Sequence, residues 1–421
     1  MRVGMCLESS PTLGGAYQFE GAILQSLKEH GGNGGHEFVV FGSHFPVDPH
    51  RFVAPHLSFV ELPKSRAGSG EEKPTPHSSR LQSTLLYRIT SKAISLGRLC
   101  YPRKRPPGQR INALRTAVAA ESIQVMYYPG PYQECLKVQL PYILTVFDLQ
   151  HRLQPEFPEV SAEGIWEQRE KFYAEAIPRA LAVIVDSETG KDDVLRFYRV
   201  PEKRIKVLPY LPARSTWVTP GANEIRGVLK KYNIPDGYLF YPSQFWPHKN
   251  HVGLLQAVYL LRQLYDIVLP VVMVGADKGS LEYIMALIAE LDLGKQTYCL
   301  GFVPDDDLPG LYRNAFALAM PTFFGPTNLP VIEAFALGCP VITSDIRGIR
   351  EQVGDAGVLV DPRDPEKMCD GILRLYQDSS LRQTLIERGK QRVATWGPKD
   401  YAQNLLTIVD EFKPVRRCWG V

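Results

Sequence analysis

Four stretches of this chain set chemistry-bearing side chains where a strand hands over to a helix. In 321–340, PTFFGPTNLPVIEAFALGCP, the residues Gly325, Pro326, Thr327 and Asn328 make a small polar loop. Thr327 or Asn328 can cap a helix whose first turn suits Pro330 and which Gly338 stops. Such an entrance leaves backbone N–H groups near Asn328, Leu329 and Val331 unpaired, which favours a bound anion such as a diphosphate. Glu333, one turn in, can accept hydrogen bonds from hydroxyls. The second stretch, PSQFWPHKNH, carries Lys249, a point charge suited to a diphosphate when it faces a helix N-terminus and a plain surface lysine otherwise. The third puts Asp148 and His151 just past an apolar run, an acid and an imidazole that serve either as a ligand-facing pair or as a capping Asp and a surface His. In the fourth, Gly14-Gly15 follows the first apolar run, where it lets a phosphate or sugar approach the backbone or simply makes a turn.

The elements that must position these residues follow from the pattern of apolar runs. A strand at 2–7, an amphipathic helix after Gly15 and a strand at 36–41 make a β-loop-α-β start, hence a parallel sheet with a right-handed crossover. Strands are expected at 125–128, 142–147, 182–185 and 205–208, with helices at 112–120 and 166–176. Pro209, Pro212, Pro220 and Gly221 mark a linker. The rhythm restarts with strands at 238–241, 268–274, 298–302 and 317–320 and further strands at 341 and 358, with helices between them. Asp148, Lys249 and the 325–328 loop all fall at carboxyl ends of strands, where open α/β sheets bind ligands. Two doubly wound halves joined by a linker are the expected architecture.

At 421 residues the chain exceeds one comfortable core, and 44% hydrophobic with 22% charged residues suits a globular protein. A formal charge of +3 is too mild to argue for a nucleic-acid partner, and none is expected; seven scattered cysteines indicate neither a disulfide framework nor a zinc site. No metal is expected. No apolar run approaches a membrane span, and a glutamate and proline interrupt the N-terminus too early for a secretory signal, so a cytoplasmic location is expected. From 45 to 109 the alternation lapses around one helical pattern at 79–99. Between residues 64 and 115, twelve basic residues face two acidic ones, as in a solvated insertion or a surface that meets anionic lipid or an anionic acceptor. The last residues, 413–421, read as a frayed tail.

With these residues in view, the chain resembles the family 4 glycosyltransferases. The resemblance spans most of the chain and is strongest from Gln244 onward. The family's E-x7-E region is similar to GPTNLPVIE here, with Leu329, Pro330 and Glu333 matching, and ALGCPVITSDIRGIREQVGDAGVLVDP follows the family pattern almost throughout. Three positions depart from it: the family's first glutamate is Gly325, its donor-site arginine is Gln244, and a histidine often found before the Asp of the N-terminal half is Phe147. Members with QFWPHKNH and GPTNLP loops look like this chain, a mannosyltransferase-like subtype.

The resemblance implies a GT-B fold, two Rossmann-like domains facing across a cleft: an acceptor-side domain at 1–212 with a basic insertion at about 46–110, a nucleotide-sugar domain at 222–395, and a final segment, 396–421, crossing back. It implies retaining transfer of a hexose from a nucleotide diphosphate sugar to a hydroxyl of a glycan, glycolipid or small-molecule acceptor, with no cofactor. Lys249 and the amides around Thr327, Asn328 and Leu329 would stabilise the leaving diphosphate. Glu333 would hold the ribose, Phe302 and Val303 would border the base, and Gln244, Gly14 and Gly15 would complete the donor site. Asp148 and His151 would orient the sugar or the incoming hydroxyl. The competing readings are an epimerase or phosphorylase of like fold and a non-catalytic sugar-nucleotide-binding protein; a dinucleotide dehydrogenase lacks its G-x-G-x-x-G loop.

Overall fold

Strands buried on both faces, joined by helical crossovers, assemble as parallel sheets. The computed structural model describes residues 1–8, 14–63, 108–217 and 221–419. In it β1 (Arg2–Cys6), β2 (Glu37–Gly42), β3 (Leu57–Glu61), β4 (Val125–Tyr128), β5 (Tyr142–Thr145), β6 (Ala182–Val185) and β7 (Ile205–Val207) form one seven-stranded sheet, ordered β3-β2-β1-β4-β5-β6-β7. A second sheet of six takes β8 (Tyr238–Pro242), β9 (Val271–Val274), β10 (Thr297–Cys299), β11 (Ala315–Met320), β12 (Val341–Ser344) and β13 (Val358–Val360) in the order β10-β9-β8-β11-β12-β13. Every pairing between these strands is parallel. The α/β class and the two Rossmann-like halves stand as expected.

Alternate residues of the first sheet serve two cores. Val3, Met5, Val40, Tyr127, Ile143 and Ile184 face one side, while Cys6, Val39, Phe41, Tyr128, Leu144 and Val185 face the other, the period of two that a strand imposes. The second face is covered by the Gly108–Ala120 and Ile165–Arg179 helices, through Leu114, Val118, Phe172 and Ile177. The first is covered by the Gly15–His30 helix and by the chain's last helix, Pro398–Arg417, which crosses back to place Tyr401, Leu405, Val409 and Phe412 in the N-terminal core. Tyr401 and Tyr127 join their hydroxyls at 2.8 Å, His36 meets Asp410 at 3.0 Å, and the Trp396 indole donates to Pro209 O at 2.9 Å.

Two expectations change. β3 lies inside the stretch read as irregular; it sits at the sheet edge, where five residues flanked by turns carry little pattern. The tail is helical to Arg417, because Phe412 and Trp419 meet edge-on at 5.7 Å and Arg416 lies over the Trp419 ring. The helix read at 79–99, and the 64–107 part of the basic insertion, lie outside the described residues.

Strand order reverses between β1 and β4 and between β8 and β11. These are the switch points outside whose carboxyl ends α/β sheets leave a crevice. Gly14-Gly15 follow β1, Lys249 follows β8 and the 325–328 loop follows β11. The loops singled out for their chemistry are therefore those the topology brings together.

Candidate functional site

Lys249 ends a short 3-10 turn, Pro247–Lys249, and the next residue fixes where that turn sits. Asn250 takes a left-handed conformation, φ 56°, and its side chain accepts from Gly253 N at 3.1 Å to cap the His251–Tyr265 helix. Its amide donates to Pro321 O at 2.9 Å and Pro362 O at 2.7 Å, tying the loop after β8 to the loop after β11. The Lys249 ammonium reaches Asn328 Oδ1 at 3.3 Å. Burial pulls its pKa down to about 8, opposed by the carboxylates of Asp148 and Glu159. An ammonium so placed can accept an anion as a charge partner.

The Leu329–Leu337 helix begins at Asn328 and ends at Gly338 as expected, but its entrance is built differently. Neither Thr327 nor Asn328 caps it with a side chain. The Asn328 amide donates to Gln352 Oε1 at 3.0 Å, Gln352 returns a bond to Asn328 O at 2.9 Å, and Val331 N reaches Asn328 O at 3.3 Å. Two of the three amides expected to be open are thus engaged, that of Asn328 by Gln352 from the Ile349–Val353 helix and that of Val331 by the Asn328 carbonyl. Glu333 is buried and accepts from the Tyr312 hydroxyl at 2.7 Å; burial raises its pKa, while Tyr312 and the Ala213 amide pull it down. Phe302 is 68% exposed beside buried Val303, an open aromatic face at the end of the β10 strand.

Gly325 shows why no glutamate stands there. Its φ is +114°, and a Cβ would lie 2.8 Å from both Asn328 Nδ2 and Thr327 O. This backbone path strains any side chain and forces a neighbour to shift, more so the larger the side chain.

The N-terminal domain meets these loops directly. Gly14, with φ +59°, lies against Gln244, and Gly15 lies so near Leu329 that a Cβ on it would sit 3.2 Å from Leu329 Cδ1. The Gln244 carbonyl oxygen also accepts from the Trp246 indole at 3.0 Å. Asp148 accepts from Arg169 at 2.5 Å and from Gln150 N at 2.9 Å; burial pushes its pKa up, and Arg169 with the amide hold it below the usual value. His151 departs from its expected place. It has no exposed surface, lies 3.2 Å from Glu170 through Nε2 and packs on Tyr173, and burial and Arg169 lower its pKa. Direct contact with an acceptor is closed to it because the helix turn after Asp148 carries the ring inward.

Three functional candidates escaped the sequence. Asp186, at the end of β6, accepts from the Thr327 hydroxyl across the cleft. Glu159 meets His248 across the same gap, and Glu351 accepts from the amides of Glu188 and Thr189 at 2.8 and 3.1 Å. The position of Asp186 at a strand's carboxyl end was the one available signal. Nothing local marks Glu159.

Residues 227–392 match the family model described as glycosyl transferases group 1. The chain is 30% identical over 307 residues to the O-antigen chain mannosyltransferase B of Escherichia coli, covering 71% of this chain and 79% of that one. Among solved structures it resembles a sucrose-phosphate synthase from Thermosynechococcus elongatus, TM-score 0.70 at 18% identity over 98% and 99% of the two chains. It also resembles Anabaena HepE in complex with UDP and glucose, TM-score 0.69 at 16% identity over 98% and 100%. The folds agree with two Rossmann-like domains around a cleft, and the shared sequence extends well beyond the second domain, so this chain belongs to the group 1 glycosyltransferases.

Proposed function

We propose that this glycosyltransferase is a family 4 enzyme of the mannosyltransferase-like subtype. It moves a hexose, mannose or a close relative, with retention from a nucleotide diphosphate sugar to a hydroxyl of a growing glycan or glycolipid. The observation that carries this reading is the convergence, at the β8/β11 switch point, of Lys249, Asn328 and Leu329, with Glu333 one turn further along the same helix. A leaving nucleoside diphosphate gains charge as the glycosidic bond breaks, and a buried ammonium beside a helix entrance stabilises that charge without needing a metal. Glu333 accepts the ribose hydroxyls, and Phe302 and Val303 border the base. Gly14 and Gly15 bring bare backbone to the opposite wall. Asp148, kept ionised by Arg169, orients the sugar or the incoming hydroxyl, and His151 steadies the turn that presents it.

The donor is tested by thermal shift with UDP-, GDP-, ADP- and dTDP-sugars, since a ligand bound only by the native state raises the melting temperature with its affinity. One base should stand out, with guanosine first in expectation because the relative covered over most of its length is named as a mannosyltransferase. A panel with no response overturns the reading. The reading includes a cytoplasmic enzyme whose basic 64–115 stretch meets the anionic surface that carries the acceptor. Flotation with anionic against neutral vesicles tests that contact.

A further inference from the structure

We infer that Glu159 is a positioning residue for Lys249, through which the acceptor-side domain sets the geometry of the donor loops; this rests on the transferase reading above. Glu159 lies on the Pro158–Ser161 turn of the N-terminal domain, and its side chain is 6% exposed. Its Oε1 accepts from the His248 backbone N–H at 3.0 Å and from His248 Nδ1. His248 is joined on its other sides to the loop after β11. Its carbonyl accepts from Phe323 N at 2.8 Å and from the Thr322 hydroxyl at 3.2 Å, and its ring stacks on Phe324 with centroids 4.1 Å apart and planes 12° from parallel. Phe324 in turn meets Phe157, one residue before the Glu159 turn, edge-on at 4.8 Å.

One residue thus ties together the acceptor-side domain, the loop bearing Lys249 and the loop bearing Asn328. Lys249 is the next residue in the chain, so a shift of the His248 backbone moves the ammonium off Asn328. The other Glu159 oxygen, Oε2, is buried without a partner among the described residues. A carboxylate in that state is costly unless its remaining bonds are kept, so the bonds to His248 are held firmly only while the two domains abut.

The test uses the whole 421-residue chain and the variants Glu159→Ala, Glu159→Gln and His248→Phe. Gln keeps an oxygen that can accept both bonds, and Phe keeps the stack while losing the Nδ1 donor. With GDP-mannose and a panel of alkyl mannosides, Glu159→Ala should lower kcat by roughly 10-fold to 100-fold, as small misplacements of a reacting group do. The donor KM should stay within about twofold, and Glu159→Gln should retain most of the rate. Glu159→Ala combined with His248→Phe should cost little more than Glu159→Ala alone, since both break one connection. A normal kcat in Glu159→Ala, a loss confined to KM, or additive losses would overturn the inference. Hydrogen exchange on the ligand-free protein decides it independently of donor identity. The Phe323 amide should lose protection in Glu159→Ala and keep it in Glu159→Gln; equal protection in all variants sinks the idea. A wild-type protein that turns over no nucleotide sugar counts against the transferase reading, and the exchange result then still decides the role of Glu159.

Discussion

Lys249 and Asp186 face the cleft from opposite domains with their protonation displaced in opposite senses. Burial brings Lys249 to about 8, so above that pH the free site holds a neutral amine. A diphosphate bound beside it, as proposed above, would supply the charge that restores the ammonium, so binding would take up a proton there. Nucleoside diphosphate affinity should fall as pH rises through about 8, and titration calorimetry in buffers of different ionisation enthalpy should show the uptake. Lys249→Ala should flatten this dependence and cut turnover by roughly 10² to 10³, as loss of other charge-stabilising donors does. Asp186 is the mirror case: burial raises its carboxyl to about 7, though Thr327 and Ser187 pull the other way. The native state then keeps a proton that the unfolded chain releases near pH 4, so stability declines as pH rises from about 4 to about 7. Asp186→Asn, which imitates the protonated form, should melt several degrees above wild type at pH 8 and level with it at pH 4. Scanning fluorimetry across pH decides this.

At the scale of elements, the loop between β11 and its helix is shaped by two glycines. Gly325 lies at φ +114°, and Gly348, at φ +86°, lets the loop pass so near that a Cβ would sit 2.2 Å from Pro326 O. Placing a glutamate at Gly325 should therefore abolish activity; nucleotide binding by calorimetry and the melting temperature should both fall. Gly325→Ala alone should cost about 1–3 kcal/mol from backbone strain and contact. The sequence pattern located β4 and β6 to the residue because each is a short apolar run with polar ends. It also placed Gly338 as a helix stop, since only a residue free to take φ +72° ends a helix this way. It missed β3, whose side chains alternate on an edge with a neighbour on one side only. Capping by Gln352 was invisible for a different reason: the bond spans 24 residues and exists only once two helices have packed. The bond from Glu159 to His248 spans 89 residues and two domains. Loop identity and strand order are local and periodic, whereas partners across a cleft depend on how two finished domains meet.

At the scale of the whole molecule, the Pro398–Arg417 helix makes the domains interdependent. Leu405 is fully buried in the N-terminal core although it follows the entire second domain in the chain. Leu405→Ala should cost about 2–5 kcal/mol, the range for a leucine removed from a packed core. Denaturant unfolding followed by fluorescence should place that loss in the transition of the N-terminal domain. The same helix sets an order of events during synthesis. Its core-filling side chains, through Phe412, leave the ribosome only after the roughly two hundred residues that follow the first sheet, about 10–40 s later at 5–20 residues per second. For that interval the Val3, Met5, Phe19 and Tyr127 side of the first sheet awaits its cover while the second domain has all the chain it needs for its own core. A nascent chain stalled in that window exposes an apolar face to whatever holds it, and severing the linker of the finished protein leaves the two domains clasped.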